Sequence, residues 1–150
     1  MRQITYRTTV LSIAFVLASH FAIAQNKLAT TNPSFTIENY YKVKWSYAEE
    51  FIDLWKRNHY PLLKKAMEKG DIMSIHAQKP ILHSGEDTRW DFKVTIIFKN
   101  AQVALVEDVT APYKAQLYPD TAKLAKDEQH RFDLLISHWD VMVEDINLNK

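Results

Sequence analysis

The chain has no cysteine, only two glycines in 150 residues, and a formal charge of +1. Without cysteine there is no disulfide framework, no thiolate metal site, no thiol nucleophile and no lipid-bearing cysteine at a processing point. Two glycines leave no room for a glycine-rich phosphate loop. The near-neutral balance provides no clustered basic surface, so nucleic acid is not an expected partner. What is present is ordinary for a folded domain: 47% apolar and 25% charged residues, with seven tyrosines, seven phenylalanines and four tryptophans.

Residues 1–24 read as a signal peptide. Arg2 and Arg7 give a positive start, Val10 to Ala18 an apolar stretch, and Ala22-Ile23-Ala24 an A-x-A cleavage pattern before Gln25. The apolar stretch is too short for a membrane span. The expected protein is therefore exported, to a periplasm or outside the cell, with no span left after cleavage. Residues 25–35 are polar around Pro33 and read as a disordered leader. Residues 36–150 read as a single domain, since no repeat or linker divides them.

From Thr36 to Trp45 the residues alternate, Ile37, Tyr41, Val43 and Trp45 against Glu38, Tyr40, Lys42 and Lys44, which predicts a half-buried strand. Ser46 with Glu49 forms a capping-box pattern opening a helix toward Lys69, with Gly70 as its stop. Pro61 predicts a break near His59-Tyr60. A second strand is expected over Asp71–His83. A third runs from Trp90 to Lys99, with Trp90, Phe92, Val94, Ile96 and Phe98 on one face. Ala101–Asp108 reads as a short helix and Thr110–Pro119 as a loop. Thr121 to Ser137 reads as a helix on the spacing Leu124, Phe132, Leu135, Trp139, and Val141–Ile146 as the last strand.

The order βαββαβ predicts an α+β ferredoxin-like fold, an antiparallel sheet with both helices on one face. The other face, expected to carry Ile72 and Ile97, needs a cover. A second copy is the economical one, so a homodimer is expected. The segment Glu38-Asn39-Tyr40-Tyr41-Lys42-Val43-Lys44, followed by an amphipathic helix ending Pro61-Leu62-Leu63-Lys64-Lys65, resembles the dimeric α/β-barrel superfamily. That group includes stress-responsive barrel proteins and cofactor-free antibiotic-biosynthesis monooxygenases. Arg89-Trp90-Asp91 and His138-Trp139-Asp140 are similar to segments of secreted bacterial members. The resemblance implies a dimer and a pocket between helices and sheet. It names no reaction, because one fold hosts many.

The candidate chemistry starts on the first helix, whose apolar sector around Phe51 and Trp55 also takes in Asn58 and His59. Buried polar groups need partners. These two either line a ligand pocket or bond carbonyls freed at the Pro61 break. Asn39 similarly interrupts the apolar face of the first strand beside Tyr41. His138, at the expected junction of last helix and last strand, is either an acid–base group or a helix C-cap. Arg131 either holds an anionic substrate or pairs with Asp127 or Asp133. Trp90 is expected on the helix-facing set, as core and pocket wall, and Arg89 with Asp91 on the opposite face.

His59 and His138 are thus the candidate catalytic residues. Asn39, Tyr41, Trp55, Asn58, Trp90, Arg131 and Trp139 are candidates for contacting a small-molecule ligand. The six histidines show neither i, i+4 helical spacing nor an H-x-H, so no metal site is expected. No G-x-S-x-G elbow occurs either. The expected function is cofactor-free histidine acid–base chemistry on a small cyclic or carbonyl-bearing molecule, of lyase, isomerase or monooxygenase type. The alternative is a non-catalytic dimer that binds a small molecule or a protein.

Overall fold

A computed structural model describes residues 33–149 apart from residue 83. The expected signal peptide, most of the leader, and His83 lie outside the described residues. Four strands, β1 (Phe35–Val43), β2 (Ile72–Gln78), β3 (Phe92–Phe98) and β4 (Leu135–Val143), form one sheet in the order β2-β3-β1-β4. All three pairings are antiparallel. Helices α1 (Ala48–Asn58), α2 (Tyr60–Lys69), α3 (Ala101–Leu105), α4 (Ala111–Leu117) and α5 (Thr121–Asp133) complete the chain order. This is the ferredoxin-like arrangement.

The alternation of β1 and β3 decides which face is buried. Tyr41, Val43, Phe92, Val94, Ile96 and Phe98 point to the helices and are buried, packed against Phe51, Leu54 and Trp55 of α1. Phe51 has no exposed surface; closing a phenyl ring into such a core is worth about 1.5–3 kcal/mol. The opposite face carries Glu38, Tyr40 and Lys42 of β1, which stand in register with Thr95 and Lys93 of β3 and with Val141, Trp139 and Ser137 of β4.

Pro61 acts as predicted. It sits in the first turn of α2, and His59 lies between the two helices with φ −105° and ψ −47°. The backbone closes the break itself: the His59 N–H donates to the Trp55 carbonyl at 2.9 Å, and the His59 carbonyl accepts from Leu62 at 3.1 Å and Leu63 at 3.3 Å. Gly70 ends α2 in the left-handed conformation, φ 87°, which suits a residue without a Cβ.

Several expectations fail for physical reasons. The capping box does not form, because Ser46 takes φ 72° in the turn before α1. Glu49 pairs with Lys79 instead, at 2.5 Å. Thr110–Pro119 is mostly helical as α4, with Pro112 in its first turn, where a missing N–H costs nothing. α5 stops at Asp133 and β4 begins two residues later, well before Val141. A bulge at Ile136 then sets the phase, so His138 stands mid-strand opposite Tyr41 rather than capping a helix. Ile72 is buried under the helices, 1% exposed, and the apolar residues of the open face are Ile97, Trp139, Val141 and Val143.

Candidate functional site

The sheet and helices bring five of the expected residues to one place. Tyr41 is buried at the end of β1 nearest α1, and its ring meets the His138 ring of β4 edge-on, with centroids 4.4 Å apart. The His138 Nε2 lies 3.6 Å from the Asp140 Oδ1, two residues along the same strand. Trp55, one turn before the end of α1, packs on Phe92 at 5.2 Å and faces the His59 imidazole at 5.9 Å. Arg131, in the last turn of α5, lies with its guanidinium carbon 5.7 Å from the Phe51 ring centroid and 4.6 Å from that of Phe132.

Tyr41 is buried and His59 largely so, both near cationic groups, whereas the His138 side chain is 29% exposed. Burial pushes the Tyr41 phenol up to about 12, and the nearby Arg131 charge only partly opposes this. Burial, then the positive charges of Arg131 and Lys114, holds His59 down to about 4. His59 is therefore neutral at neutral pH and its ring can accept a proton or a hydrogen bond. Burial also lowers the Arg131 value, yet guanidinium stays charged across the physiological range.

Two buried donors here have no partner of good hydrogen-bond geometry among the described residues, Arg131 Nε and Trp55 Nε1, although the Trp55 indole lies close enough to the Tyr41 phenol to hold it down slightly. The expected alternative for Arg131 fails. Asp127 accepts instead from Lys123 at 2.7 Å and from Asn58 at 3.2 Å, and Asp133 accepts from Gln129 at 2.8 Å. Among the described residues no carboxylate forms an ion pair with Arg131.

The other expected residues lie elsewhere or are already engaged. Asn58 is buried but its amide is spent on Asp127. Asn39 points to the helix side in register with Asp140, and its Nδ2 donates to the Val94 carbonyl at 3.0 Å. Trp139 stands on the open sheet face, stacked on Tyr40 at 5.3 Å. Trp90 precedes β3 and does not join the core of its helix-facing set: it meets Tyr40 of the open face edge-on at 5.9 Å. Another part of Trp90 borders an open recess of about 240 Å³ with Ala48, Ile52 and Pro80, at the end of α1 remote from His59.

Arg89 is also misplaced by the alternation argument. It is 2% exposed and clamps the chain: it donates to the Val43 carbonyl at 3.1 Å, pairs with Asp91, and bonds Glu86 at 3.1 Å. Lys114 and Asp140 had no place among the expected site residues. Lys114 was hidden by reading α4 as a loop. Asp140 was hidden by starting β4 too late, although the alternation Trp139, Val141, Val143 was there to reveal its phase. Among the described residues no three histidines or carboxylates converge as metal ligands.

Neither a protein-family model nor a curated protein sequence matches this chain. Solved structures do. A hypothetical protein of Arabidopsis thaliana, determined in solution, superposes with a TM-score of 0.50 at 12% identity, over 80% of this chain and 95% of that one. A dimeric ferredoxin-like protein from an uncultured marine organism gives 0.49 at 6% identity, over 80% and 96%. The cofactor-independent oxygenase SnoaB of Streptomyces nogalater gives 0.43 at 8% identity, over 78% and 98%. At such identities the likeness is one of fold. The chain is a ferredoxin-like α+β protein, and the resemblance read from its sequence is met at that level.

Proposed function

We propose that this is an exported, homodimeric enzyme that carries out cofactor-free acid–base chemistry on a small cyclic or carbonyl-bearing molecule held between sheet and helices. The observation that carries the reading is the meeting of Tyr41, Trp55, His59, Arg131 and His138 from β1, α1, α5 and β4, with buried donors left over. Unpaired buried donors cost stability, and functional sites are where such costs persist.

The roles follow from the protonation states. Neutral His59 accepts a proton from the substrate. Tyr41, which keeps its proton to about 12, and the Trp55 indole donate to the oxyanion that forms on the carbonyl oxygen. Asn39 and Asn58, both engaged, drop out of that role. His138, whose Nε2 lies 3.6 Å from the Asp140 carboxylate, is the second acid–base group. Lyase, isomerase and cofactor-free monooxygenase reactions that pass through an enolate begin with such a proton removal.

Two further elements of the proposal rest on other parts of the chain. Export rests on the sequence of residues 1–24. The homodimer rests on the open sheet face, where Trp139, Val141 and Val143 are 38–40% exposed beside Tyr40, a patch that a second copy would cover.

Hydrogen exchange tests the catalytic part. The protein is incubated in deuterium oxide with small cyclic ketones and β-dicarbonyl compounds, and loss of the α-hydrogen is followed by NMR. His59→Gln and His138→Gln are each expected to slow exchange by about 10²–10⁴-fold with the fold intact. If bound compounds do not exchange, or if neither substitution slows them, the protein is a binding module of the same fold.

A further inference from the structure

Arg131 is 4% exposed, its Nε has no acceptor, and no described carboxylate pairs with it. Moving a guanidinium out of water without a counter-charge is among the costlier arrangements a small domain can hold. The rings of Phe51 and Phe132 lie against the group. Such contacts engage the faces of a guanidinium and leave its in-plane N–H groups to be satisfied by something else. Glu128, one turn earlier, is near enough to favour the charged form of Arg131 but forms no ion pair with it. The second orphaned donor, the Trp55 indole, borders the same two residues that Arg131 influences, Tyr41 and His59.

A fixed cation, a fixed indole N–H and a protonated phenol are all donors. From these we infer that the ligand of this site carries a planar oxyanion, a carboxylate or an enolate oxygen pair, which seats on Arg131 with the Trp55 indole as a second donor. The inference deepens the proposed function, since it rests on the cluster being a ligand site, but it requires no turnover. Arginine suits this task because its planar fork presents parallel N–H groups to the two oxygens of a carboxylate. An anion here also provides the acceptor that the described residues do not offer to the Arg131 Nε–H.

The test uses matched probes that differ only in charge: formate, acetate and benzoate against formamide, acetamide and benzamide. Each is titrated into ¹⁵N-labelled protein while the Arg131 Nε–H and Trp55 Nε1–H signals are followed. Both signals are expected to shift saturably with the carboxylates, with an affinity about ten-fold or more above the matching amides. Arg131→Met should abolish the response at Trp55. Arg131→Lys, which keeps the charge and loses the fork, should retain a weaker carboxylate preference. The inference is overturned if no carboxylate gives a saturable shift, if amides bind as well, or if Arg131→Met leaves the preference intact. Carboxylate binding through Arg131 in a protein that exchanges no substrate hydrogen would leave this inference standing and remove only the catalytic reading.

Discussion

Replacing Arg131 with methionine is expected to raise the stability of the protein, whereas the same replacement at Arg89 is expected to lower it sharply. Both side chains are almost fully buried, at 4% and 2% exposure. They differ in partners. Arg89 bonds the Val43 carbonyl and the carboxylates of Glu86 and Asp91, and Asp91 also accepts from the Val43 N–H at 2.8 Å. Methionine at position 89 strands that carboxylate and carbonyl, a loss of about 3–5 kcal/mol. Set against a typical domain stability of about 5–15 kcal/mol, this removes a third or more.

Arg131 has no such carboxylate to strand. Its removal relieves an uncompensated buried charge that costs about several kcal/mol. It also forfeits the contacts with Phe51 and Phe132, worth together about 1–2 kcal/mol. The net gain is about 1–2 kcal/mol, or a rise in Tm of roughly 3–8 °C for a domain of this size. Thermal and urea unfolding followed by circular dichroism give both values. If Arg131→Met destabilises the protein as Arg89→Met does, then Arg131 is satisfied in the folded state and the argument from an unpaired cation fails.

Other outcomes are equally specific. His59 sits near 4 when folded, from an ordinary value of about 6.5, so the unfolded chain takes up its proton first as pH falls. Stability is therefore lost between about pH 6.5 and 4, by about 3 kcal/mol, and levels off below that; His59→Gln should flatten this part of the urea-unfolding profile, and an unchanged profile would place the titrating group elsewhere. On the open sheet face, Trp139→Glu is expected to weaken self-association by about 30-fold or more, as for a central aromatic contact. Light scattering across a dilution series measures this, and a native protein that is monomeric at micromolar concentration would rule out the homodimer.

Much of the framework was legible because it depends on local pattern. β1 and β3 alternate cleanly, Pro61 cannot continue a hydrogen-bonded helix, and Gly70 accepts a left-handed turn; each acts within a few residues. The last third was harder. The spacing of Phe132, Leu135 and Trp139 fits a helix as well as it fits α5 running into a bulged β4, and only pairing with β1 decides between them. Thr110–Pro119 reads as a loop, yet Pro112 falls in a first turn, where proline is compatible with a helix.

The site divides along the same line. Tyr41, Trp55 and His59 followed from the faces of β1 and α1. Trp90 was placed by the alternation of the third strand and Trp139 by helical spacing, and both meet Tyr40 of the open face. The state of Arg131 was beyond any local pattern. It depends on Lys123 and Asn58 occupying Asp127 and on Gln129 occupying Asp133, which are matters of three-dimensional competition.

The most direct test of the central claim is a crystal structure of the protein grown with benzoate. The account predicts the carboxylate on Arg131 Nε with Trp55 Nε1 as a second donor, and the ring lying against Tyr41 toward His138. A structure in which Arg131 turns to a protein carboxylate and no benzoate binds beside Tyr41 would contradict it.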